Sequence, residues 1–186
     1  HQLRESKLSD FPIVASWIRS EAECRIWCGS RVSYPPDLAR LPQMLEFETC
    51  ESWTGVSSAG ILAFGQLVPK VKGRFHLARL ITIPECRGSG LGRLMADHLL
   101  KRALARKASA VSLNVFSENV AALSLYQSLG FSAAKRPGDE RESHSIYMEY
   151  DGKESETRIV GVRSGRATTV GVSVWAPDTE IRTVDN

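Results

Sequence analysis

The stretch "ECRGSGLGRLMADHLL", Glu85 to Leu100, constrains this chain more than any other: Gly88, Gly90 and Gly92 fall within five positions, and an apolar-periodic helix follows. The first turn of a helix leaves backbone N–H groups without intrahelical partners and carries the positive end of the macrodipole. A phosphate held by main chain alone satisfies both conditions, and glycine lets that main chain approach closely and take positive φ. A flexible strand-to-helix turn that binds nothing has the same look, so the surroundings must decide.

Those surroundings alternate. "LSDFPIVASWIRS" opens on Ser9 as a possible N-cap and shows helical spacing at Phe11, Val14, Trp17 and Ile18, and "EAECRIWC" continues as a second helix to Gly29. "RVSYPPDLARLP" reads as a loop or broken helix. "FETCESWTGVSS" and "GILAFGQLVPK" read as strands joined near Ala59 and Gly60, and "GRFHLARLITI" as another, stopped by Pro84. The glycine turn then opens a helix to about Lys107, followed by the strand "AVSLNVF". "SENVAALSLYQSLG" is a helix capped by Ser117 or Asn119 and ended by Gly130, and "FSAAKR" and "SHSIYMEY" are two last strands.

Strand, glycine turn and helix also occur in dinucleotide and P-loop sites, but the pattern here is G-x-G-x-G, and no Gly-Lys-Ser/Thr follows. The net charge of +3 is too small and scattered to argue for nucleic acid, and "KRALARK", Lys101 to Lys107, reads as helix-end chemistry. No stretch approaches the ~20 apolar residues of a membrane span, and the N-terminus lacks an apolar signal-peptide core. A cytoplasmic protein that engages neither membrane nor nucleic acid is expected. Cys24 and Cys28 stand at helical spacing without two further ligands, and Cys50 and Cys86 lack companions, so no metal is expected.

Arg87-Gly88-Ser89-Gly90-Leu91-Gly92 resembles the Arg/Gln-x-x-Gly-x-Gly/Ala signature of the GNAT acetyltransferases, and it follows an apolar strand and Pro84 as that motif does. About 27 residues after the last glycine, "NVAALSLYQSLGF" is similar to the family's Asn-x-x-Ala-x-x-Leu-Tyr-x-x-x-Gly-Phe segment. The resemblance covers roughly residues 3 to 150. It implies an α/β (α+β) fold: a mixed, mostly antiparallel sheet of about seven strands flanked by helices and splayed between its fourth and fifth strands, with residues 1–150 as the acetyltransferase domain. It also implies acetyl-CoA as cosubstrate, its pantetheine arm in the splay.

By position, the resemblance assigns strand-edge contacts with the arm to Leu80, Ile81 and Thr82, and the pyrophosphate cradle to Gly88, Ser89, Gly90, Leu91, Gly92 and Arg93, with Arg87 ahead of it. Arg93 supplies a cation there or simply points to solvent. Asn119 matches a cofactor contact and is equally natural as a helix cap. Tyr126 matches the family's general acid, which protonates the coenzyme A thiolate, and a core aromatic is the alternative. An alkylammonium must also lose a proton before it attacks. His76, eleven residues before Arg87, resembles the position of a catalytic glutamate in histone-type members and of a histidine in arylalkylamine acetyltransferases; a hydrogen-bonded wall residue is the alternative. Members that acetylate ribosomal protein N-termini have a proposed glutamate base on the fifth strand, where this chain has Asn114. That leaves His76, Glu118 or ordered water as the base. A small amine or amino-acid-like acceptor is favoured over a peptide N-terminus, and a non-catalytic CoA-binding module is the other class of reading.

Trp27, Tyr34, Trp53, His144 and Tyr147 are candidate acceptor-cleft walls, and Glu46, Glu48 and Glu51 are candidate attractors for a cation; ordinary core aromatics and a solvated acidic face are the alternative, and the favoured one for most of them. Residues 151–186 fall outside the implied fold. "RIVGVR" and "TTVGVSVW" read there as two strands about a turn, and a homodimerisation arm is one role for them.

Overall fold

The computed structural model describes residues 2–137 and 145–152. The expected strands of the tail and His144 lie outside the described residues. Among the described residues seven strands form one sheet: β1 (Gln2–Glu5), β2 (Glu51–Ser57), β3 (Gly60–Pro69), β4 (Arg74–Thr82), β5 (Ala110–Phe116), β6 (Phe131–Ala133) and β7 (Ser145–Tyr150). Their order is β1-β2-β3-β4-β5-β7-β6, and every adjacent pair is antiparallel except β4 and β5.

Alternation along β3 explains the two layers. Ala63 and Leu67 face the cluster under α4 (Leu91–Ala105), where Leu77, Met95, Leu99 and Leu113 are all buried. Phe64 faces the opposite side, against α1 (Phe11–Ser16), α2 (Glu21–Cys28) and α3 (Leu41–Met44), with Phe11, Val14, Leu41 and Leu45. Burial of each such side chain contributes about 1.5–3 kcal/mol, which fixes both helical layers to one sheet.

The first helix begins differently from the expectation. A 3-10 turn over Leu8–Asp10 precedes α1, and Asp10, not Ser9, organises the corner. The Asp10 carboxylate accepts from Lys7 N at 2.9 Å, from Thr54 Oγ1 at 2.9 Å and from both terminal nitrogens of Arg4. A buried carboxylate so satisfied ties β1, β2 and α1 together, which a serine hydroxyl cannot do. The short strand β1 carries too little periodicity to have been read in advance.

The feature that makes a site is where β4 and β5 stop pairing. Parallel register runs from Arg74↔Ala110 to Leu77↔Leu113 and no further, while β4 continues on β3 through Ala78, Ile81 and Thr82. Between Phe64 and Gln66 the β3–β4 register shifts, and Arg79 takes a left-handed φ of 56°. That bulge bends β4 away from β5, at a conformational cost of about 1–2 kcal/mol for a residue with a Cβ. The expected splay between the fourth and fifth strands is present.

Candidate active site

The splay opens a cleft of about 680 Å³ whose walls are the freed edges of β4 and β5. Leu80, Ile81 and Thr82 line it on the β4 side, and Asn114, Val115 and Phe116 on the β5 side. Strand edges without a sheet partner present main-chain donors and acceptors to whatever enters.

One end of the cleft is the glycine turn. A 3-10 turn over Pro84–Cys86 leads into Gly88 at φ 80° and Gly90 at φ 89°, and Gly90 is the N-cap of the 15-residue α4. A Cβ at either glycine would meet nothing within 4 Å, so it is conformation and not crowding that requires glycine there. Gly88, Gly90, Gly92, Arg87 and Arg93 line the cleft. Ser89 and Leu91 do not: the Ser89 hydroxyl donates to the Cys86 carbonyl at 2.6 Å, and Leu91 is buried in the core. Arg93 is exposed and donates to Ser128 Oγ. The Arg87 guanidinium lies 3.4 Å from Glu23 of α2.

Tyr126, on α5 (Val120–Ser128), lines the cleft and belongs to the buried core; the N-cap of α5 is Asn119, with Asn119 Oδ1 accepting from Ala122 N at 3.2 Å. Asn119 also lines the cleft, so the cap leaves it on the cleft wall. The Tyr126 ring packs edge-on against Phe131 at 6.2 Å. Burial alone pushes its phenol up to about 12.

His76 is placed elsewhere. It is not among the residues lining the cleft, and both ring nitrogens are engaged: Nδ1 with Ser112 Oγ at 2.9 Å and Nε2 with Asn114 Nδ2 at 3.2 Å. Burial, and then Lys70, Arg136 and Arg79, lower its pKa to about 4. The strand alternation that aims Leu77 at the core aims His76 at the other face of the sheet, beside Ser112. Two carboxylates do line the cleft. Glu23 accepts from Arg19 N at 2.7 Å and faces Arg87, while Glu118 accepts from Ser117 Oγ at 3.1 Å and faces Arg25 at 3.8 Å.

Of the expected acceptor walls, Trp27 lines the cleft and Tyr34, Trp53 and Tyr147 do not. Trp53 instead packs on His98 at 4.2 Å, and Tyr147 donates to Glu149. The acidic trio is likewise spent on structure: Glu46 pairs with Arg31 and Arg79, Glu51 with Arg102 and Arg106, and Glu48 is exposed away from the cleft. Those last two arginines belong to "KRALARK", whose charge therefore serves β2 as much as the helix end. Arg79 is the residue that sequence reasoning missed. Its side chain is 7% exposed, and it donates to the Leu45 carbonyl at 2.9 Å and to Gln66 Oε1 at 2.6 Å. Among the described residues, no group of acidic, histidine and cysteine side chains is arranged to hold a metal, and no helix is long and apolar enough to cross a membrane.

Residues 14–131 match the model of the Acetyltransferase (GNAT) family. Among solved structures, the fold is similar to that of a ribosomal-protein-alanine N-acetyltransferase from Brucella melitensis, with a TM-score of 0.61 and 16% identity over 80% of this chain and 98% of that one. It is similar to a spermidine N-acetyltransferase chimera from Vibrio cholerae and hSSAT, with a TM-score of 0.62 and 15% identity over 80% and 93%. It is also similar to the PaiA N-acetyltransferase from Thermoplasma acidophilum, solved in complex with coenzyme A, with a TM-score of 0.59 and 16% identity over 80% and 96%.

Proposed function

Since the chain belongs to the GNAT acetyltransferase family and is an acyl-CoA-dependent N-acetyltransferase, we propose that it moves the acetyl group of acetyl-CoA directly to the primary amine of a small or amino-acid-like acceptor. The observation that carries the reading is one continuous cleft: the freed β4 and β5 edges run to a positive-φ glycine turn at the N-terminus of a long helix, with Tyr126 in its wall.

Acetyl-CoA brings an activated thioester, and the residues present fit it. Gly88 to Arg93 offer main-chain N–H groups at a helix start to a diphosphate, and Arg87 and Arg93 add positive charge there. Leu80, Ile81 and Thr82 offer an unpaired strand edge to the pantetheine amides, and Asn119 stands at the α5 end of the same cleft. As the amine nitrogen attacks the acetyl carbon, the carbon–sulfur bond breaks and the leaving sulfur takes up negative charge. Tyr126, whose phenol keeps its proton throughout the neutral range, donates to that sulfur.

The amine's proton leaves on the acceptor side. His76 is poorly suited to take it, since its Nε2 lone pair already accepts from Asn114. Glu118, on the cleft wall, receives it through water. An asparagine at the fifth-strand position cannot serve as base, which favours a small acceptor over the protein N-terminus named for the Brucella relative. The test is thiol release from acetyl-CoA against a panel of small amines, amino-acid amides and N-terminal peptides. Turnover with a small amine is expected. Binding of acetyl-CoA without turnover of any acceptor would replace the transferase reading with that of a binding module.

A further inference from the structure

The bulge that opens the cleft is held by a residue of the cleft wall itself. Trp27, near the end of α2, donates its indole N–H to the Arg79 carbonyl at 2.8 Å. Trp27 is 7% exposed, its ring packs edge-on against Phe64 at 6.3 Å, and Phe64 pairs with Ile81 across β3 and β4. The Arg79 side chain is anchored separately, by the Leu45 carbonyl, Gln66 and Glu46. The one residue of β4 with a left-handed backbone is therefore clamped at both ends.

A peptide unit is planar, and in the trans form its C=O and N–H point in opposite directions. The bond between Arg79 and Leu80 is trans, since the only cis bond among the described residues joins Tyr34 to Pro35. A donor that fixes the Arg79 oxygen therefore also fixes the direction of the Leu80 N–H.

We propose that Trp27 is a positioning residue for the cosubstrate arm: by holding the Arg79 carbonyl, it sets the angle at which the Leu80 N–H and the β4 edge meet the pantetheine chain. This rests on the functional reading above, which assigns Leu80 to the arm. Simple packing of Trp27 makes a different prediction, because Trp27→Phe keeps an aromatic ring against Phe64 and removes only the N–H.

The experiment measures binding of acetyl-CoA and of adenosine 3′,5′-bisphosphate, which lacks the arm, to the full chain and to Trp27→Phe. Trp27→Phe should bind the bisphosphate like the parent and acetyl-CoA about tenfold more weakly, the effect of losing about one well-directed hydrogen bond from the Leu80 N–H to the arm. Unchanged acetyl-CoA affinity, or equal weakening of both ligands, overturns the proposal. A parent that binds neither ligand overturns the functional reading, and this inference with it. Should Trp27→Phe not fold, the parent answers alone: the Trp27 indole N–H resonance should shift on addition of acetyl-CoA and stay in place with the bisphosphate. A resonance unmoved by acetyl-CoA overturns the proposal.

Discussion

Asn114 Nδ2 stands 3.2 Å from His76 Nε2, while Asn114 Oδ1 accepts from Arg136 at 2.7 Å. The arginine fixes which way the amide faces, so the NH₂ group points at the imidazole and Nε2 must carry a lone pair. The proton then sits on Nδ1 and is donated to Ser112 Oγ at 2.9 Å. His76 is held as a single neutral tautomer by this line of donors.

A depressed histidine pKa has a definite sign for stability. With an ordinary value of 6.5 in the unfolded chain and about 4 in the folded one, the unfolded state binds more protons between those values. Stability is thus lost as pH falls from 6.5 toward 4, by roughly 3 kcal/mol from this group. In His76→Gln that component should vanish, giving a flatter urea midpoint between pH 6.5 and 4 than the parent shows. An equal slope in both proteins would show that His76 is not buried as a neutral group.

Tyr126→Phe separates chemistry from packing. The ring contact with Phe131 survives, and no neighbour contributes to the shift of the phenol, so the melting temperature should stay close to that of the parent. Acetyl-CoA should still bind, while kcat falls about 10²–10³-fold for loss of the proton donor. Since burial pushes the phenol up to about 12, its ionisation should give no alkaline loss of activity below about pH 10. An alkaline limb that disappears in Tyr126→Phe would contradict this assignment.

Features coded locally were legible in the sequence. The glycine turn, the Asn119 cap and the span of β5 depend on near neighbours, and they occur where the local pattern puts them. The clamp on the bulge depends on a contact between residues 52 positions apart and on a register shift between two strands. In the sequence Arg79 is only a charged residue in an apolar strand. The partners of the acidic residues were hidden for a similar reason: nothing local to Glu46 or Glu51 reveals that an arginine from β4 or from α4 will neutralise it.

The glycines of the turn should not behave alike. Gly90 needs φ 89°, so Gly90→Ala should cost about 1–2 kcal/mol of stability and raise the KM for acetyl-CoA as the turn relaxes. Gly92 lies inside α4, and a Cβ there would make ordinary contact with Leu125 Cδ1 at 3.6 Å. Gly92→Ala should raise stability by up to about 1 kcal/mol through helix propensity. Thermal unfolding of the two variants tests the contrast, and equal losses would place the strain elsewhere.

The position of that turn also depends on how closely α4 lies on the sheet, and Gly65 sets that distance. A Cβ on Gly65 would come within 2.9 Å of Met95 Cγ and 3.1 Å of Leu99 Cδ1, closer than packed carbons tolerate. Gly65→Ala should therefore destabilise the protein by about 1–3 kcal/mol, as overpacking does in a filled core. If the clash with Met95 is the cause, the methyl should be accepted where Met95 has been truncated. Urea unfolding of Gly65→Ala, Met95→Ala and the double variant then gives less than the sum of the two single losses, because each change makes room for the other. Additive losses would mean that α4 is held off the sheet by other contacts, and that Gly65 serves the backbone of β3 instead.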